Sequence, residues 1–113
     1  MLPAVGQGAI GIETRADDDF ARQIVRSLDH EPTRLACIAE RAFLRALGGG
    51  CQLPIAGHAV AFNQMLQLDG LVASRDGQQI ARDKLSGPSE KAEELGVRLA
   101  DGLLEGGAKE LLV

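Results

Sequence analysis

The stretch Leu47-Gly48-Gly49-Gly50-Cys51-Gln52-Leu53-Pro54 places a thiol after three consecutive glycines, between a patterned helix and a proline-led extended run. One glycine suffices to stop a helix, because glycine takes positive φ without steric cost. Three glycines instead leave a backbone with no side chains to crowd whatever lies beside it, and Cys51 is the nucleophile on that bare loop. Spacing permits a nucleophile, a redox thiol, a metal ligand or a plain loop residue. The metal reading is weak, since neither Cys37 nor Cys51 has a second Cys or His at ligand spacing. No CxxC supports redox cycling, although Cys37 and Cys51 could in principle pair. His30 and His58 carry no signature of a cysteine-protease base. A thiol that follows a helix C-terminus also meets the end of the dipole that disfavours a thiolate.

The elements that must position this loop follow from periodicity. Asp17-Asp18-Asp19 supplies a cap and first-turn acids for a helix running to about Leu28, with Phe20, Ile24, Val25 and Leu28 as its apolar stripe. Three adjacent carboxylates at a helix start do not converge on one point, so they read as a cap and not as a metal site. Pro32 then opens a longer helix to about Leu47, in which Leu35, Ile38, Ala39, Ala42, Phe43 and Ala46 share a face. Arg34, Arg41 and Arg45 mark a solvated stripe, with Glu40 able to pair with neighbours, and Cys37 reads as a small packing residue.

Three strands follow: Ile55 to Phe62, Met65 to about Ser74, and Gln78 to about Ser86. Asn63-Gln64 makes a tight turn, and Asp76-Gly77 predicts a type I′ hairpin with positive φ at both positions. Leu66, Leu68 and Val72 alternate with polar or small residues, so one sheet face is buried. Asp69-Gly70 suggests a bulge. His58 reads as a structural or surface histidine. Gly87-Pro88-Ser89-Glu90 opens a last helix with Ala92, Leu95, Gly96, Leu99, Ala100 and Leu103 on its apolar face, stopped by Gly106-Gly107. Gly96 on that face implies close packing against another element. The fold class is therefore α+β, a small three-stranded antiparallel sheet with helices on one face, in the order α-α-β-β-β-α.

The opening Leu2-Pro3-Ala4-Val5-Gly6-Gln7-Gly8-Ala9-Ile10-Gly11-Ile12-Glu13 predicts a loop feeding a short strand from Ala9 to Glu13. It has too little bulk to build a sheet alone. The segment looks severed from its context, so the chain is expected to be the tail of a longer protein.

Composition narrows the function classes. The chain of 113 residues, 45% hydrophobic and 25% charged, has the balance of a globular domain. Three Phe with no Trp or Tyr disfavour stacking on bases or sugars. The net charge of −4 and the scattered basic residues lack the footprint of a nucleic-acid binder. No apolar run approaches the roughly 18 residues of a membrane span, so a cytoplasmic location is the expectation, without a membrane partner.

The run Ala39-Glu40-Arg41-Ala42-Phe43-Leu44-Arg45-Ala46-Leu47-Gly48-Gly49-Gly50-Cys51-Gln52-Leu53-Pro54-Ile55 resembles the cofactor-attachment segment of the porphobilinogen deaminase (hydroxymethylbilane synthase) family. The run from Leu2 to Glu13 is similar to the end of that family's preceding domain, so the resemblance implies that residues 1–14 are a remnant of that domain and residues 15–113 the C-terminal cofactor-attachment domain. The Asp76-Gly77 hairpin and the Gly107-Ala108 ending extend the likeness over nearly the whole chain. The resemblance implies a transferase of haem and tetrapyrrole biosynthesis that condenses four porphobilinogen molecules into a linear tetrapyrrole, with loss of ammonia at each step. It implies a dipyrromethane primer held by a thioether, with Cys51 at the attachment position and Gln7 and Gly8 at positions contacting the pyrroles. A soft sulfur captures an electrophilic methylene carbon without needing an acidic thiol, and the glycines become clearance for a lengthening chain. Gly48 stands where the family commonly has an acidic residue.

The resemblance also implies that the catalytic aspartate and most of the arginines for the acetate and propionate groups belong to the preceding domains. No catalytic residue and no metal ligand is therefore expected in this chain, and Arg34, Arg41 and Arg45 are not assigned to the substrate. The expected partners are porphobilinogen and the growing pyrrole chain, together with the N-terminal domains, in an enzyme that is a monomer at full length. The fragment by itself is expected to be inactive, with a bare Cys51. The alternative is a non-catalytic binding module, since an α-β-β-β-α order also occurs in double-stranded-RNA-binding domains. The charge balance counts against it.

Overall fold

The computed structural model describes residues 2–6, 9, 11–48 and 54–108. Its elements are α1 (Asp19–Arg26), α2 (Glu31–Ala46), β1 (Ile55–Phe62), β2 (Met65–Ala73), β3 (Ile80–Pro88) and α3 (Ala92–Leu103). A 3-10 turn at Ser89–Lys91 leads into α3, and a wide turn at Leu104–Ala108 follows it. The strands form one antiparallel sheet in the order β1-β2-β3, with α2 and α3 packed against each other and against the sheet. This is the expected α+β architecture in the expected element order.

Period sets the buried faces. In α3 the residues Ala92, Leu95, Gly96, Leu99, Ala100 and Leu103 are all buried. In β2 burial alternates, with Leu66, Leu68, Gly70 and Val72 inward. In α2, Ala36, Ala39, Ala42 and Phe43 are buried, while Leu35, Ile38 and Ala46 are partly so.

Two glycines decide how close these layers come. A Cβ on Gly96 would collide with the carbonyl oxygen of Ala39 and lie 2.8 Å from the Ala42 side chain, so α3 meets α2 backbone to backbone. The close approach expected from Gly96 is there, and its partner is α2. At Gly70 the expected bulge is absent: β2 runs in unbroken register, with Gly57 opposite Gly70 and His58 opposite Asp69. The glycine instead makes room for Phe43, whose ring would lie 2.5 Å from an added Cβ, with Leu99 at 2.9 Å. A close approach, not an extra residue, explains that position.

The two turns differ. Asn63 (φ 52°) and Gln64 (φ 63°) both take positive φ, as a two-residue hairpin of the primed type requires. The second hairpin departs from the I′ expectation, because Gly77 (φ 74°) has positive φ and Asp76 does not. Here Gly77 N–H donates to the Ser74 carbonyl (3.0 Å), and the loop is longer, closing where Ser74 N–H donates to the Gln79 carbonyl (2.8 Å). Side chains set this choice. Ser74 Oγ donates to Asp76 Oδ1 (2.5 Å), Gln78 N–H donates to the same oxygen (3.1 Å), and Gln79 N–H donates to Ser74 Oγ (3.0 Å). An aspartate that accepts bonds from its own turn need not adopt the left-handed conformation.

Helix α1 is shorter than expected. The Asp18 carboxylate caps it by accepting from Ala21 N–H (3.0 Å), and it ends at Arg26. Its stripe is left largely open: Phe20 is 75% exposed and Leu28 66%, Val25 is partly covered, and no residue of α1 is buried. The expected strand from Ala9 to Glu13 is also absent, and the described residues of that stretch join no ladder.

Two measurements check this packing. Gly96→Ala should lower stability by about 2–3 kcal/mol, the cost of forcing atoms into a close contact, while Gly102→Ala, on the exposed side of α3 with open space around it, should raise it by about 0.5–1 kcal/mol. Equal urea midpoints for the two variants would contradict this account. The bonds from Ser74 and Gln78 also lower the Asp76 pKa below the ordinary aspartate value. Its contribution to the turn is thus present above about pH 3.9 and fades as pH falls through the lower folded value. A carboxyl NMR titration should place the Asp76 midpoint below about 3.9.

Candidate functional site

Helix α2 delivers the chain to the candidate site. Leu47 N–H donates to the Phe43 carbonyl (3.2 Å) and Gly48 N–H to the Arg45 carbonyl (2.9 Å). Gly48 then takes φ 72°, the left-handed stop that glycine adopts freely. It is exposed, and an added Cβ there would meet nothing within 4 Å. Cys51 lies outside the described residues, as do Gln7 and Gly8. The described chain resumes at Pro54, whose carbonyl accepts from Ala73 N–H (2.9 Å), and β1 starts at once with Ile55 opposite Val72. Both ends of the Cys51 segment are therefore anchored, one by a helix stop and one by the end of a sheet ladder.

The segment ahead of Gln7 is also held. β1 is an edge strand, and two of its N–H groups are satisfied from outside the sheet: Gly57 donates to the Pro3 carbonyl (3.1 Å) and Ala59 to Glu40 Oε2 (3.1 Å). The other carboxylate oxygen, Oε1, accepts from Gly6 N–H (2.7 Å). Val5 packs against the core, its methyl 3.3 Å from where a Cβ on Gly57 would lie. Residues 3–6 thus form a strap over the β1 edge, tied to α2 by one side chain.

Glu40 differs from its expected role of pairing with surface neighbours. It is 6% exposed, and its carboxylate accepts from the backbone N–H groups of two distant segments. The clue in the sequence is its place four residues after Ala36 and three before Phe43, on the buried stripe of α2.

The arginines remain on solvated faces. Arg34 pairs with Asp29 (3.2 Å) and Arg45 with Glu93 (3.8 Å), while Arg41 is exposed. On β3, Arg82 pairs with Asp69 (2.8 Å). Acid partners intersperse these bases, so they do not build the continuous basic surface a nucleic-acid module needs. His30 Nδ1 lies 2.6 Å from Thr33 Oγ1 at the start of α2, and His58 is exposed on the outer sheet face. Cys37 is a free, half-buried thiol. It lines a cleft of about 750 Å³ with Ile12, Val25, His30, Arg34 and Arg41, along the N-terminal part of α2. Among the described residues no three His, Cys, Asp or Glu side chains group as metal ligands, and no helix is long and apolar enough to cross a membrane.

A three-stranded antiparallel sheet with α2 and α3 packed on it and on each other defines a small α+β domain. Residues 34–105 match the family model described as the C-terminal domain of porphobilinogen deaminase. The chain belongs to the porphobilinogen deaminase family. It is 52% identical over 111 residues to the porphobilinogen deaminase of Synechococcus elongatus, covering 98% of this chain and 35% of that protein. It is 50% identical to that of Pelotomaculum thermopropionicum, covering 98% of this chain and 36% of the relative. The porphobilinogen deaminase of Nostoc sp. is likewise 50% identical, over 98% of this chain and 34% of its own length. The chain thus spans about a third of the length of the relatives it matches.

Replacing the helix stop tests the anchoring. Gly48→Ala should cost about 1 kcal/mol in urea unfolding, because the space is open and the penalty is the left-handed backbone alone. A stabilisation would show that Gly48 leaves that conformation without cost.

Proposed function

We propose that the chain is the cofactor-carrying C-terminal part of a hydroxymethylbilane synthase, a transferase of tetrapyrrole and haem biosynthesis acting on porphobilinogen. Cys51 is the attachment point, holding a dipyrromethane primer through a thioether. When bound, that primer supplies the pyrrole carbon onto which porphobilinogen units are added. The observation that carries the reading is the anchoring of the Cys51 segment between Gly48 and Pro54, with open space at Gly48, in a chain whose residues 34–105 match this family's C-terminal domain.

The chain's own residues hold and orient. The Cys51 sulfur makes the covalent link, and its position after a helix C-terminus suits a thiol used for softness and not for acidity. Gln7 and Gly8 offer polar backbone and amide contacts to the pyrroles. The acid chemistry and the grip on acetate and propionate groups lie in the part of the relatives' length that this chain does not span. Residues 1–14 belong with that part, and residues 15–113 form the C-terminal domain. The complete enzyme is a cytoplasmic monomer whose partners are porphobilinogen and the growing pyrrole chain.

Intact mass decides the attachment. The purified 113-residue chain should carry a bare thiol and produce no hydroxymethylbilane. The complete enzyme should carry an adduct that Cys51→Ser removes. A complete enzyme that turns over without an adduct at Cys51 would overturn the reading.

A further inference from the structure

Glu40 carries more than its place in the core requires. A carboxylate buried to 6% exposure costs desolvation unless its oxygens find donors. Here each oxygen serves a different segment, Oε1 taking Gly6 N–H at 2.7 Å and Oε2 taking Ala59 N–H at 3.1 Å. Neither donor is served by the β1–β2 ladder. Glu40 thereby joins three pieces of chain: the strap at residues 3–6, helix α2 and the edge strand β1. The strap is held at two further points, Pro3 on Gly57 and Val5 on the core. At Gly6 the chain also turns, with φ 75°. Glu40 stands six residues before the end of α2, about 9 Å along its axis.

We infer that Glu40 is a positioning residue, a pin that fixes residues 3–6, the stretch just ahead of Gln7, against α2, the helix whose stop at Gly48 precedes Cys51. In the complete enzyme proposed above, the strap is where the rest of the chain joins this domain, and the pin holds that junction against α2 and β1. Its meaning for the primer rests on the function proposed above; the pin itself does not.

The chemistry demands two acceptors. Glutamine offers one acceptor oxygen and sets an NH2 group against the other N–H. Ala59 is 5% exposed, whereas Gly6 is half-buried, so an unpaired N–H costs more at Ala59 than at Gly6. The amide oxygen therefore stays with Ala59, and the strap is released.

Amide hydrogen exchange on this chain tests the pin. In Glu40→Gln, exchange at Gly6 should accelerate by about 10- to 100-fold, as expected for loss of a charge-assisted bond, while Leu68 and Leu99 exchange as before. Unchanged protection at Gly6, or equal acceleration at all three sites, would overturn the inference. Should Glu40→Gln not fold, an ester in place of the Val5–Gly6 peptide bond removes the donor and leaves Glu40 intact. The ester chain should lose the NOEs between the Val5 methyls and the core residues they pack against, and persistence of those NOEs would overturn the pin. Release of the strap together with a complete enzyme lacking any adduct at Cys51 would keep the pin and remove the primer reading. Unchanged protection at Gly6 removes the pin whatever the mass at Cys51.

Discussion

The seating of Phe43 governs the structure. Its ring lies against Gly70 and beside Gly57, two glycines placed opposite each other on neighbouring strands, with Leu99 closing the site. Phe43 is fully buried. A side chain on Gly70 would lift the ring, and α2 with it. On its other flank α2 is held by Gly96 of α3, which admits the Ala39 carbonyl into contact. One helix is thus brought down onto a sheet and drawn sideways against a second helix by missing side chains on its neighbours. Interiors packed at crystal-like density tolerate no slack in such an arrangement. Because α2 ends in the glycine stop before Cys51, the same contacts locate the start of that segment.

Much of this could be read from residue types. The 3.6-residue period gives every buried position of α3, and the 2-residue period gives Leu66, Leu68 and Val72 as inward residues of β2, because these faces are decided by local geometry. Asn63-Gln64 was legible as a tight turn for the same reason. The readings that failed depended on partners far along the chain. Gly70 has the local look of a bulge, and nothing nearby reveals the ring of a residue 27 positions earlier. Phe20, Ile24 and Leu28 have the spacing of a buried stripe, yet periodicity does not report whether a partner exists among the described residues. Glu40 reads from the sequence as a charge able to pair with neighbours, since its donors are backbone groups that no side-chain pattern announces. Cys51, the residue on which the functional reading turns, was legible through resemblance. Its local surroundings left several kinds of chemistry open.

Charge shapes the outer surface without holding the fold. The pairs Arg34–Asp29 and Arg45–Glu93 are about half exposed or more on both sides, where such pairs are worth about 0–1 kcal/mol. The Asp69–Arg82 pair is tighter, with the carboxylate partly shielded on the outer sheet face. Val60, Phe62 and Met65 lie near the β1–β2 turn and are at least half exposed, so that sheet face is apolar at one end and ionic in the middle.

The strap over β1 has a bearing on how the molecule comes into being. An open strand edge invites pairing with other chains, and the danger is greatest while a polypeptide is incomplete. Synthesis runs from the N-terminus, so residues 3–6 leave the ribosome well before Ile55–Phe62. The cover for the edge is already waiting when the edge first forms. Glu40 emerges between the two, so the residue that ties them together is available before the second arrives. Order along the chain thus acts as a form of quality control, in which the newborn sheet finds its own N-terminal segment before it can meet a neighbour.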